Sequence, residues 1–217
     1  MKVYFISGLA ADSRVFKHIV LPDGFEVVHL HWIDPQKNES LSSYAHRLAA
    51  GIDSSENFAL AGLSMGGMMA AEIARTYHPV TTILLSSVAT SRELPALFKM
   101  AYRFRLHKFV PVGFLKTLSL LKRDFIADTA EDKLVLKQVI RDSDPAFIRW
   151  AMNAILEWKN EQKPDNCWHI HGSKDEILPL RYTHPTHIVD GGNHLMIMNK
   201  AAELNALLKE ILLRQSA

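Results

Sequence analysis

The residues best placed by type and spacing to do chemistry lie in Gly62-Leu63-Ser64-Met65-Gly66-Gly67, a serine set among glycines between an apolar run and a stretch rich in small residues. A serine hydroxyl is a weak nucleophile and works only where a sharp turn exposes it to a base. Flanking glycines leave room for that turn between strand and helix, and a helix that begins just after Ser64 aims its first N–H groups at developing negative charge. A glycine-rich strand-to-helix turn can also cradle phosphate, but no Lys-Ser or Lys-Thr follows the glycines here.

Such a serine needs a general base and an acid to orient that base, and both types follow in the right order. His171-Gly172-Ser173-Lys174-Asp175-Glu176-Ile177-Leu178-Pro179 comes after an apolar run ending near Ile170 and places Asp175 on a loop, with Glu176 as the alternative acid. Gly191-Gly192-Asn193-His194 comes after a run ending near Asp190, a turn able to swing His194 towards Ser64. His184 and His187 compete for the same task, but His187 falls inside the expected strand and is less free to reach. In the order Ser, Asp, His, the aspartate accepts the Nδ1 proton and the imidazole takes the serine proton. Two N–H donors should face the oxygen that becomes negative. Met65 supplies one by position, and Leu9, in Gly8-Leu9-Ala10-Ala11, supplies the other.

These residues must be held by a scaffold, and the hydrophobic pattern describes one. Val3–Ile6, Phe25–Leu30, Phe58–Leu63, Thr81–Leu85, Cys167–Ile170 and Thr186–Val189 are short, apolar and β-rich. Ser40–Ile52, Met65–Tyr77 and Ala202–Leu213 carry helical spacing. The alternation predicts a parallel sheet with crossover helices. From about 91 to 158 the alternation stops and long helical patterns replace it, so an inserted helical cap is expected there. Its Phe98, Tyr102, Phe109 and Phe114, with Met100, Phe104 and Leu118, are candidates for an apolar substrate pocket; Arg103, Arg105, Lys108 and Lys116 are candidates for attracting an acidic substrate.

Composition narrows the class. With 217 residues, 48% of them hydrophobic, the chain can bury one sizeable core, so one domain over 1–217 is expected. A net charge of +2 with no long basic run gives nucleic acid nothing to bind. The eleven histidines are scattered, without the paired spacing of a metal site, so no metal is expected. A single cysteine, Cys167, excludes an internal disulfide and agrees with a reducing, cytoplasmic setting. No run is apolar for long enough to span a membrane. Lys2 followed by Val3–Ala11 has the outline of a short signal peptide, but a buried first strand turning at Gly8 accounts for it better.

On Gly8-Leu9, the turn around Ser64, His171-Gly172 to Asp175 and Gly192-Asn193-His194, the chain resembles the α/β-hydrolase superfamily, in particular its compact esterase-like members with a Gly-x-Ser-Met-Gly-Gly turn and a helical cap. The resemblance covers nearly the whole chain, and only the cap lacks a motif. It implies an α/β-hydrolase fold with a mainly parallel sheet of about six strands. It also implies a serine hydrolase that cleaves an ester-like bond of a small molecule through an acyl-enzyme, with no cofactor. Two departures stand out. Many relatives begin the loop after the first strand with His-Gly, where this chain has Ser7-Gly8, and the chain starts almost directly with what is the third strand of a full-length member. The superfamily also contains lactonases, thioesterases, carbon–carbon bond hydrolases, hydroxynitrile lyases and hormone receptors that keep a slow hydrolase site, and the sequence does not separate these.

Overall fold

Alternation of side chains along each strand decides how the sheet is covered. In the computed structural model, which describes residues 1–104, 113 and 129–214 and only the backbone of Ala101 and Tyr102, the strands are β1 (Lys2–Ile6), β2 (Glu26–Leu30), β3 (Phe58–Leu63), β4 (Thr81–Leu85), β5 (Cys167–Gly172) and β6 (His187–Val189). They form one six-stranded sheet in the order β2-β1-β3-β4-β5-β6, and every pairing is parallel. The central strands β3 and β4 are buried throughout because both faces are covered: Leu60, Leu63, Ile83 and Leu84 have no exposed surface. Each such side chain contributes about 1.5–3 kcal/mol of burial.

One face, carrying Tyr4, Ile6, Leu60 and Leu84, packs against α1 (Leu41–Leu48), α2 (Met65–Tyr77) and a helix further along, α5 (Pro145–Glu157). Between α2 and α5 lie α3 (Ala96–Arg103) and α4 (Ala130–Asp142). The other face, carrying Val3, Phe5, Ala61 and Ile83, packs against α4, α6 (Met196–Asn199) and α7 (Ala201–Arg214). Period-two alternation along β1 sorts its residues between the two layers.

Helix starts follow capping chemistry. The Ser40 hydroxyl accepts the Ser43 N–H at α1, Thr129 accepts the Asp132 N–H at α4, and Asp144 accepts the Ala146 and Phe147 N–H groups at α5, where Pro145 needs no donor. The expected crossover helices are present at α1 and α2. Between β1 and β2, and between β5 and β6, the crossover is a single 3-10 turn instead, Ser13–Phe16 and Leu180–Tyr182. Asp12 fixes the first of these by accepting the Arg14 N–H and guanidinium.

The helical pattern expected over 91–158 is present wherever it is described, as α3, α4 and α5. α5 is tied firmly into the body. Its Phe147 meets Tyr44 edge-on and its Trp150 lies tilted against the same ring, at ring distances of 6.1 and 4.3 Å, and Trp150 Nε1 donates to the Glu39 carbonyl at 2.8 Å. α4 is anchored to the loop after β1 through buried Asp132, which accepts from Lys17 Nζ at 2.8 Å and lies 2.9 Å from His18 Nε2. Among the described residues, no helix is long and apolar enough to cross a membrane.

Candidate active site

Ser64 occupies the turn between β3 and α2 at φ 52°, ψ −118°, a conformation that costs a non-glycine residue about 1–3 kcal/mol. The turn is over-determined by its neighbours. Ser64 N–H donates to the Leu85 carbonyl at 2.9 Å, and the Ser64 carbonyl accepts from Gly67 N–H at 2.9 Å and from the Ser87 hydroxyl at 2.6 Å. The start of α2 also lies flush against β1. A methyl group at Gly66 would come within 2.1 Å of the Ile6 carbonyl oxygen, so only glycine allows that approach.

His194 Nε2 lies 2.9 Å from Ser64 Oγ, and its Nδ1 lies 2.8 Å from Asp175 Oδ2. A carboxylate only accepts, so Nδ1 carries the proton and Nε2 is free to accept from the serine hydroxyl. Asp175 and His194 are buried, at 4% and 7% exposure, while Ser64 stays partly open. The second carboxylate oxygen accepts the Ile177 and Leu178 N–H groups at 2.9 and 2.8 Å. Burial pushes the Asp175 pKa up, but the charge and hydrogen bond of His194, the Leu178 N–H and the nearby His171 outweigh it and hold the carboxyl below its ordinary range. Glu176, the alternative acid, is exposed, as is His184; His187 stacks on Trp168 at 5.5 Å instead.

The acid and histidine loops form one unit. Ser173 N–H donates to the Val189 carbonyl at 3.0 Å and Lys174 N–H to the Gly192 carbonyl at 2.9 Å. The Ser173 hydroxyl donates to Asp190 at 3.1 Å and accepts the Gly191 N–H at 2.8 Å. Gly172 is pressed so close that a methyl there would meet the Gly192 oxygen at 2.2 Å.

Met65 directly follows the serine, and Leu9 follows Gly8 in the loop after β1. Gly8 lies against the serine, with an added methyl only 3.3 Å from Ser64 Cβ. Ala10 takes a left-handed φ of 56°. The loop then closes through Ala11 N–H to the Gly8 carbonyl at 3.1 Å, while the Ala11 carbonyl accepts from Ser7 Oγ and Trp32 Nε1, both at 3.0 Å. Ser7, standing where many relatives have histidine, therefore closes this loop itself. Met65 opens α2, where helical geometry offers its N–H no carbonyl one turn back.

Of the pocket candidates, Phe98 is half-buried against the core layer of α1, α2 and α5. Met100 and Phe104 are exposed. The Tyr102 side chain, Phe109, Phe114, Leu118, Arg105, Lys108 and Lys116 lie outside the described residues. Sequence reasoning did not single out Ser87, His171 or Ser173, which brace the site. Ser87 and Ser173 have no motif of their own; the one signal for His171 is its place just before Gly172 at the end of a strand. Among the described residues, no group of three or more His, Cys, Asp or Glu is arranged to hold a metal ion.

A family model described as the alpha/beta hydrolase family matches residues 3–207. No curated protein matches the sequence. Among solved structures, the chain is similar to a thermophilic esterase from Thermogutta terrifontis with malate bound, at 20% identity and a TM-score of 0.76 over 100% of this chain and 91% of that one. It is also similar to MenH from S. aureus, at 16% identity and a TM-score of 0.72 over 100% of this chain and 95% of that one. The enol-lactonase from Burkholderia xenovorans LB400 aligns at 14% identity and a TM-score of 0.72, covering 97% and 90% of the two chains. At these identities the likeness speaks for the fold.

Proposed function

Because the chain belongs to the alpha/beta hydrolase family, we propose that it is a serine hydrolase acting on an ester-like bond of a small molecule, with Ser64 as nucleophile, His194 as general base and Asp175 as the acid that orients it. The observation that carries this reading is the unbroken hydrogen-bonded line from Asp175 through His194 to Ser64, at 2.8 and 2.9 Å. As Ser64 Oγ attacks the carbonyl carbon, its proton passes to His194 Nε2, and Asp175 stabilises the imidazolium. The carbonyl oxygen, now negative, is received by the Leu9 and Met65 N–H groups, each worth about 2.7–4 kcal/mol in the transition state. Collapse of this intermediate expels the alcohol with the proton from His194 and leaves an acyl group on Ser64. Water, deprotonated by His194, then releases the acid and regenerates the serine. Within the segment over about 91–158, α4 and α5 are built into the layers that flank the sheet, so the cap that selects the substrate is the part ahead of α4, with Phe98 on its described portion. Esters, thioesters and lactones share this acyl chemistry and form the test panel.

Ser64→Ala should remove turnover on that panel while leaving the circular dichroism spectrum unchanged. Undiminished hydrolysis by Ser64→Ala would refute the assignment.

A further inference from the structure

Among the described residues, two histidines outside the Ser64–His194–Asp175 line are buried without any exposed surface, His169 and His171 on β5. Neither has a part in the acyl transfer described above, and burying an imidazole without a role is costly. Their placement is directional. His171 Nε2 lies 2.7 Å from the Leu178 carbonyl oxygen and 3.4 Å from Asp175 Oδ2. Both of these oxygens only accept, so Nε2 carries the proton. His171 Nδ1 lies 3.2 Å from His169 Nε2. In a neutral His171 that Nδ1 is an acceptor, so the proton between the two rings belongs to His169 Nε2. The remaining nitrogen, His169 Nδ1, makes no full hydrogen bond, and the nearby Ser87 backbone is a weaker influence on the ring than its burial. Burial keeps both rings neutral, pushing His169 down to about 3 and lowering His171 against the pull of Asp175.

Leu178 is the point of contact. Its N–H grips Asp175 Oδ1 at 2.8 Å while its carbonyl is held by His171. We infer that His171, aimed by His169, is a positioning residue for the hydrolytic site: its Nε2–H fixes the 175–178 turn and thereby the Asp175 carboxylate that orients His194. The inference rests on the serine-hydrolase reading above and extends it from three side chains to five.

The test is the rate at which a fluorophosphonate probe labels Ser64, measured across pH in the full-length protein. His171→Phe keeps a ring of similar size and removes the donor. It should label about 10- to 100-fold more slowly, a smaller loss than the ~10⁴-fold cost of setting the histidine in the wrong tautomer. Its acid limb should also move to lower pH, because a displaced carboxylate no longer stabilises protonated His194 as well. His171→Gln, whose amide places a donor near the Nε2 position and an acceptor for His169, should recover most of the rate. A purely structural role would lower the melting temperature without moving the acid limb. An unshifted limb and unchanged rate in folded His171→Phe would overturn the inference while leaving the Ser64 assignment intact; absence of Ser64 labelling in the unsubstituted protein would instead overturn the underlying reading. Should His171→Phe fail to fold, imidazole ¹⁵N resonances of the unsubstituted protein decide the matter. A His171 that carries a proton on Nε2 supports the inference, and a neutral His171 with its proton on Nδ1 alone contradicts it.

Discussion

Ser64 gives up stability for position. Its left-handed φ of 52° is held by Leu85, Gly67 and Ser87, so the strain persists whatever the side chain does. Ser64→Ala keeps the strain, whereas Ser64→Gly relieves it, with part of the gain lost to the greater freedom of glycine in the unfolded chain. Ser64→Gly should therefore be more stable than Ser64→Ala by about 1 kcal/mol in urea denaturation; equal or reversed midpoints would show the turn to be unstrained. The buried His169 and His171 and the half-buried His29 set a second residue-scale expectation. Unfolded, they titrate near 6.5; folded, burial holds His169 to about 3 and keeps His171 and His29 below 6.5. Between those values the unfolded chain binds more protons, so the stability they confer is complete above about pH 6.5 and is lost as the pH falls towards 3. The loss should begin well above the ordinary Asp and Glu values of 3.8 and 4.5. Comparing urea midpoints near pH 7.5 and pH 5 checks this: a flat response would contradict it, and His169→Leu should flatten whatever slope is found.

At the scale of elements, the site depends on three turns at the carboxyl ends of parallel strands, brought into register by the sheet. The acid and histidine turns meet edge to edge through Ser173, Lys174 and Gly192. Gly172→Ala would drive a methyl to 2.2 Å from the Gly192 oxygen and push the two turns apart. The expected cost is about 1–3 kcal/mol of stability together with a larger proportional loss of Ser64 labelling; a variant that melts lower but labels normally would show that the turns need not be joined. The strands were legible in the sequence because burial on both faces writes them as continuous apolar runs, and β3 and β4 fall where the pattern put them. The spacing around Ser64, Asp175 and His194 was legible because each motif sits directly after such a run. The bracing contacts were not. Ser87 reaches Ser64 from the loop after β4 and His171 reaches Leu178 across a turn, and neither relation has a sequence period to betray it. The 3-10 crossovers escaped for a related reason, since turns of four and three residues are too short to show a helical period.

Across the whole molecule, two apolar layers sandwich the sheet, and the segment between β4 and β5 contributes helices to both. α4 joins the layer with α6 and α7, and α5 joins the layer with α1 and α2. The helical patterns over about 91–158 announced helices there; they did not show where α5 begins or that Tyr44 and Trp32 receive its aromatic face, because periodicity specifies a face and not its partner. That docking ends at Trp158, whose Nε1–H donates to Glu72 at 2.6 Å on the helix that Ser64 precedes. Trp158→Phe keeps most of the packing but leaves the buried carboxylate with one donor fewer, and should lower stability by about 1–3 kcal/mol, read as a shifted denaturation midpoint; an unchanged midpoint would show the contact to be incidental. All of this scaffolding serves one claim, that Ser64 is an activated nucleophile. The most direct measurement is to treat the purified protein with a fluorophosphonate probe and locate the adduct by peptide mass spectrometry. Modification should fall on Ser64 and disappear in His194→Ala; a folded protein left unmodified, or labelled equally well without His194, would contradict an activated serine.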